Sequence, residues 1–290
     1  MSSREATVAV TGRHSSPTLG RDRWKTFLRV ALSGSATVWL IVTLAGQVVF
    51  AAYVANFYGG AAIAGEYERW SKVLPRGFDS TEPLGNAMLG LHLLLAVAWV
   101  LSGMLQLIPA VRGHVPALHR WNGRLYIGFA AALAVGGLWL VWVRGGVVGD
   151  LAQHLAISIN ALFILGCAAM AWRAARLRRF GDHRRWALRL FVVASGVWFF
   201  RVGLMAWLAV HQRPVGFDAA TFQGPFLTLL AFGVYVVLPL SLLQLYLTAK
   251  DRGGPAAHLG VTAVIGIVTL ATCIGTFAAA MGMWLPRMSL

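Results

Sequence analysis

Charge is what this sequence has least of. Asp, Glu, Lys and Arg make up 12% of its 290 residues, against roughly a quarter in a typical soluble domain. That shortfall excludes an ordinary water-soluble fold. Acidic side chains are scarcer still, with 10 Asp and Glu against 25 Lys and Arg. Cysteine occurs twice, as Cys167 and Cys273, both inside apolar runs where they read as small apolar residues. No C-x-x-C-H is present, which excludes covalently attached c-type haem. Zinc sites built on cysteine clusters are excluded for the same reason. No G-x-G-x-x-G follows a strand pattern, so no fused nicotinamide or flavin domain is expected.

Hydrophobic residues fill the chain instead, at 58%, with 12 Trp and 15 Phe. They come in seven blocks, roughly 30–58, 86–109, 122–143, 151–172, 187–210, 225–248 and 260–284. Each is close to the ~20 apolar residues that cross a bilayer as a helix. The first block is too long for a signal-peptide core, so it is expected to be an uncleaved span. The fold class expected is all-α: a polytopic membrane protein of about seven transmembrane helices, with spans 2–5 as a central four-helix bundle. Residues 1–29 read as a disordered basic tail, and 30–290 as one transmembrane domain with its core at 86–210. The longest connection, 59–85, is too short for a second folded domain.

The net charge of +15 invites a nucleic-acid reading, so its placement decides. Six basic residues lie in the N-terminal tail, three (Arg112, Arg120, Arg124) between spans 2 and 3, seven between Arg173 and Arg189, and Lys250 with Arg252 between spans 6 and 7. The opposite loops hold six: Arg69, Lys72, Arg76, Arg144, Arg213 and Arg287. This asymmetry is the positive-inside pattern, and it predicts a plasma or inner membrane protein with a cytoplasmic N-terminus and an external C-terminus. The charge reports topology and attraction to anionic lipid. The lipid bilayer is the expected partner, and nucleic acid is not.

Of eight histidines, His14, His114, His211 and His258 fall in the tail, in loops or at span ends, and read as solvated. The other four, His92, His119, His154 and His183, fall one to each of spans 2 to 5. Spans 2 and 4 would enter from outside, placing His92 and His154 in their first turns as an outer pair. Spans 3 and 5 would enter from inside, making His119 and His183 an inner pair. Alternate helices of an up-down bundle face each other diagonally, so each pair could offer two axial imidazoles to one iron. Helical phase puts His92, Trp99, Gly103 and Gln106 on one face of span 2, and His119, Gly123, Tyr126, Ala130, Leu133 and Gly137 on one face of span 3. Small residues there would leave room for a macrocycle, or equally permit close helix packing. On span 5, His183 and Arg201 are 18 residues apart, five turns or about 27 Å along one face. Arg201 is a deep charge with no Asp or Glu in spans 2–5 to pair with it. A haem propionate would be a suitable counter-ion.

The texts "LHLLLAVAWVLSGMLQLIPAVR", "HRWNGRLY", "DHRRWALRLF" and "FFR" together resemble the membrane-protein family known as domain of unknown function 2306, over about residues 86–205. More remotely, the plan of one histidine per helix is similar to the cytochrome b561 superfamily. That resemblance implies two non-covalently bound b haems, one held by His92 with His154 and one by His119 with His183. It also implies electron transfer across or within the membrane from a quinol or other small reductant. A non-redox transporter or scaffold without haem stands as the alternative. A seven-span zinc hydrolase would need three convergent histidines around an open metal position, and span 7 offers none after His258.

Overall fold

A backbone in lipid must satisfy its own hydrogen bonds, so each apolar block that crosses a membrane has to be a helix. The computed structural model describes residues 17–288 apart from 75, 146 and 147, with side chains from residue 23. All seven blocks are helical in it, and the described residues contain no strand beyond the isolated bridge Asp218–Gln223. Six helices are long and apolar enough to span: Arg23–Ala64, Pro83–Leu107, Pro116–Arg144, Leu151–Arg176, Pro225–Arg252 and Pro255–Met288. The seventh, span 5, consists of Phe180–Ala194 and Gly196–His211, bent by 48° between them.

Local chemistry sets the helix starts. Spans 2, 3, 6 and 7 begin at Pro83, Pro116, Pro225 and Pro255. Proline suits the first turn because the N–H it lacks would have no partner there. Span 4 is capped by Asp150, which accepts from the Gln153 amide at 2.9 Å. Two boundaries differ from expectation. The tail expected to be disordered over 1–29 is helical from Pro17, continuous with span 1 through Val54, while residues 1–16 lie outside the described residues. Span 3 starts at Pro116, so His119 lies inside its first turn and a short helix, Pro109–His114, precedes it.

Spans 2, 3, 4 and 5 pack as consecutive neighbours. Span 7 lies against span 1 and the Gly196–His211 half of span 5, and span 6 lies against span 4 and both halves of span 5. Gly275 on span 7 permits the closest of these approaches, since a Cβ there would collide with the Val202 carbonyl. Below, the basic end means the end carrying loops 110–121, 173–186 and 249–259, and the acidic end the one carrying Glu66, Glu68, Asp79, Glu82, Asp150 and Asp218.

The bend in span 5 is bolted from two sides. Pro239 on span 6 has no N–H for the carbonyl four residues earlier, that of Tyr235, and the segment Phe232–Val237 is a π-turn. Asn160 of span 4 supplies the missing donor, giving Nδ2–H to Tyr235 O at 2.9 Å and to Val193 O, beside the span 5 break, at 3.0 Å. From span 1, Gln47 Nε2 donates to Ser195 Oγ at 2.9 Å, and Ser195 Oγ donates to Phe191 O at 2.7 Å. Asn160→Leu therefore strands two buried carbonyls. Membrane hydrogen bonds are worth ~0.6–1.7 kcal/mol each, so a loss of about 1–3 kcal/mol is expected as a lower melting temperature in detergent. An unchanged melting temperature would show that the bend does not need this bolt.

Candidate functional site

At the basic end, the two related texts build the same local structure. Arg124 lies over the Trp121 ring at 4.5 Å and Arg189 over the Trp186 ring at 4.8 Å, each one turn apart on its helix. Each text thus starts a helix with an interfacial Trp–Arg stack and sets a histidine just ahead of it. His119 starts span 3 and His183 starts span 5 at this same end, and the charges that act on the His119 imidazole are those of Arg112 and His183. His183 Nδ1 is 3.0 Å from the Ala171 carbonyl on span 4. A carbonyl only accepts, so Nδ1 carries a proton, and in the neutral ring Nε2 keeps its lone pair. His119 Nδ1 is buried with no hydrogen-bond partner among the described residues, and its own carbonyl accepts from Gln106 Nε2 at 3.0 Å.

Spans 2 and 3 meet along the two predicted faces. Trp99 stacks on Tyr126 at 5.4 Å, and a Cβ on Gly103 would stand 3.0 Å from the Tyr126 ring. Ser102 Oγ donates to Asn122 Oδ1 at 2.9 Å, and Asn122 Nδ2 returns a bond to Ser102 O at 2.8 Å. The small residues of span 3 are used for this contact. A Cβ on Gly123 would lie 3.4 Å from Gln106 Oε1, and Cβ atoms on Gly136 and Gly137 would lie 3.4 and 3.6 Å from the His92 ring. His92 therefore lies on span 3's glycine surface, with its Nδ1 buried and without a hydrogen-bond partner among the described residues. His154 has its ring 6.3 Å from Trp142, edge to face. Trp142 is about one and a half turns beyond Gly136 and Gly137, so His154 packs at a level of span 3 nearer the acidic end than His92 does.

Arg201 is half-buried, donates Nη1–H to the Val197 carbonyl at 3.2 Å and lies over the Phe50 ring at 5.3 Å. The break at Ser195 interrupts the continuous helix from His183, so the straight five-turn face expected for span 5 is not formed. The Arg201 charge nonetheless reaches His92, as well as Tyr53, Tyr58 and Tyr235.

Two polar sites escaped the sequence reading. Arg144, counted there as a loop cation, is buried, with a side chain only 4% exposed. Its Nε faces Glu82 Oε2 at 3.3 Å, its Nη2 donates to Asn86 Oδ1 at 3.0 Å, and its carbonyl accepts from Arg76 Nη1 at 2.8 Å. Gly85 leaves room for the guanidinium, since a Cβ there would stand 2.6 Å from Arg144 Nε. The available signal was Glu82 and Asn86, four apart and so on one helix face. Asn86 also holds the preceding loop, donating to Asp79 O at 2.7 Å. There, hydrogen bonds from the Thr81 hydroxyl and amide keep the Asp79 carboxyl below the usual carboxylate range. The second missed residue is His258, read as solvated but 3% exposed, with Nε2 giving its proton to Ala249 O at 3.1 Å. It clamps the turn between spans 6 and 7. Among the described residues no three His, Cys, Asp or Glu side chains converge to hold a metal ion, so the three-histidine zinc arrangement is not formed there.

The helices, their apolar lengths and these buried polar contacts define a polytopic all-α integral membrane protein. Residues 89–237, just over half of the chain, match the family described as predicted membrane protein (DUF2306), and the chain belongs to that family. No curated protein and no solved structure matches it.

Proposed function

We propose that this membrane protein binds b-type haem non-covalently and carries electrons across or within the bilayer. The observation that supports this best is the His183 imidazole, whose Nδ1 is tied to the Ala171 carbonyl, with His119 at the same end of span 3. Metal-bound imidazoles characteristically donate the other ring N–H in this way, which fixes ring orientation and raises ligand basicity. His119 and His183 would hold one haem at the basic end, with Arg112 supplying charge for a propionate. His92 and His154 would hold a second haem toward the acidic end, with Arg201 as its cation. For that haem the support is the orphaned Nδ1 of His92 and the reach of the Arg201 charge to that ring. Haem held by such a pair of imidazoles would supply one-electron chemistry. The donor in this reading is a quinol or a small diffusible reductant. The test is the absorption spectrum of protein purified with haem supplied, oxidised and then reduced with dithionite. A Soret band that shifts on reduction is expected, and its absence would end the haem reading.

A second reading, a non-redox transporter, draws on the bolted break in span 5, because interrupted helices often border membrane binding sites. The same spectrum separates the two.

In this proposal the basic end is cytoplasmic and the protein sits in the plasma or inner membrane. Cysteines placed at Ser80 and at Arg178 should be labelled by an impermeant thiol reagent from opposite sides, Ser80 from outside. Labelling of both from one side would overturn the orientation.

A further inference from the structure

An open groove of about 830 Å³ runs along the seam of spans 4, 5 and 6. Phe163, Met170, Leu240 and Leu245 give it apolar walls, and toward the basic end the lining turns to Arg189, Gln244 and Thr248. Arg189 has two neutral neighbours, the Trp186 ring beneath it and Gln244 Oε1, to which it donates at 3.0 Å. Among the described residues no carboxylate pairs with it. Arg185, one turn nearer the basic end on the same helix, differs in having its charge met by Asp251 at 2.7 Å. Gln244 Nε2 donates to Thr248 Oγ1 at 3.1 Å, so the Thr248 hydroxyl proton is available to another acceptor. A cation set one turn further into the membrane than the last ion pair, at the head of an apolar channel, calls for an anion that carries its own hydrocarbon.

We infer that this groove seats one anionic phospholipid. The phosphate takes the guanidinium fork of Arg189, for which planar bidentate contact is favoured, and headgroup hydroxyls meet Gln244 and Thr248. An acyl chain lies along Phe163, Met170, Leu240 and Leu245. Charge selects the lipid class: the segment Arg173–Arg189 holds seven basic residues and a single acid, Asp182, so a zwitterionic headgroup would bring its ammonium into a positive field. The site is independent of any haem.

Full-length protein in detergent, titrated with phosphatidylglycerol or with phosphatidylcholine of the same acyl chains and read by native mass spectrometry, tests this. Phosphatidylglycerol should bind preferentially as a single retained lipid. Arg189→Gln should weaken it about fivefold, the effect of one basic contact at a membrane surface, and Arg189→Lys less. Arg124→Gln, which removes an exposed arginine stacked on its own tryptophan at the same end but outside the groove, should leave binding unchanged. The proposal is overturned by equal binding of the two lipids or by an Arg189→Gln protein that binds as wild type does. It is equally overturned if Arg124→Gln is as damaging as Arg189→Gln, or if a short-chain quinone binds more tightly than phosphatidylglycerol. An unliganded melting temperature for Arg189→Gln equal to wild type assigns its loss to the site. Should that variant not fold, Arg189→Lys supports the same comparison.

Discussion

If the protein binds two haems as proposed, His183→Ala is expected to remove one of them completely, lowering the haem-to-protein ratio from two to one. The reasoning starts from the Ala171 carbonyl. It accepts Nδ1–H at 3.0 Å, so the ring is oriented, and in the neutral ring Nε2 would be the atom able to hold iron. Without that imidazole the site offers only His119, and a single axial ligand near the membrane surface should not retain haem through purification. His119→Ala should remove the same haem. His92→Ala and His154→Ala should each remove the other one. The readout is the pyridine haemochrome ratio together with redox titration, because the surviving haem should keep its wild-type potential. A ratio unchanged by both His119→Ala and His183→Ala would confine haem to the acidic-end pair. Loss of both haems in any single variant, with the melting temperature unchanged, would contradict the two-pair assignment.

Glu82→Ala is expected to be more damaging to stability than Arg144→Met, although the two residues share one ion pair. Arg144 has a side chain 4% exposed, and Glu82 is its carboxylate partner at 3.3 Å. Deleting Glu82 leaves a buried guanidinium with Asn86 alone, and an uncompensated buried charge costs about 3–5 kcal/mol. Glu82 itself is 30% exposed, so solvent reduces the coupling, and a loss of about 3 kcal/mol is the expected size. Arg144→Met removes the buried charge together with its need for a partner. The remaining Glu82 keeps Arg76 at 3.4 Å and its own water. Thermal unfolding of both variants in detergent should rank Glu82→Ala as the less stable. The reverse order would mean that the Arg144 side-chain contact to Asn86 matters more than charge balance.

These two sites differ in how legible they were from the sequence. The seven apolar blocks determined seven helices, because a backbone in lipid has no water to bond and must close its hydrogen bonds within each segment. Helical phase, a local property, correctly grouped His92, Trp99, Gly103 and Gln106 on one side of span 2, and His119, Gly123, Tyr126 and Gly137 on one side of span 3. What lies opposite a face is not local. A stripe of small residues serves a cofactor and a close helix contact equally well, and only the assembled structure shows Gly137 occupied by His92 and Gly123 by Gln106. The bend in span 5 was hidden for a similar reason. No proline marks it within span 5, and its bolt is Asn160, whose other acceptor, Tyr235 O, is 75 residues away in sequence. Arg144 read as a loop cation because the counting of loop charges assigns side chains by position along the chain. Its burial depends on Glu82 and Asn86, which lie 62 and 58 residues earlier and come beside it only when spans 2 and 3 pack. Periodicity and composition thus determined which segments cross the membrane and which faces belong together. The tertiary structure decided which faces meet, and with them which charges are buried, because pairing between helices depends on contacts far apart in sequence.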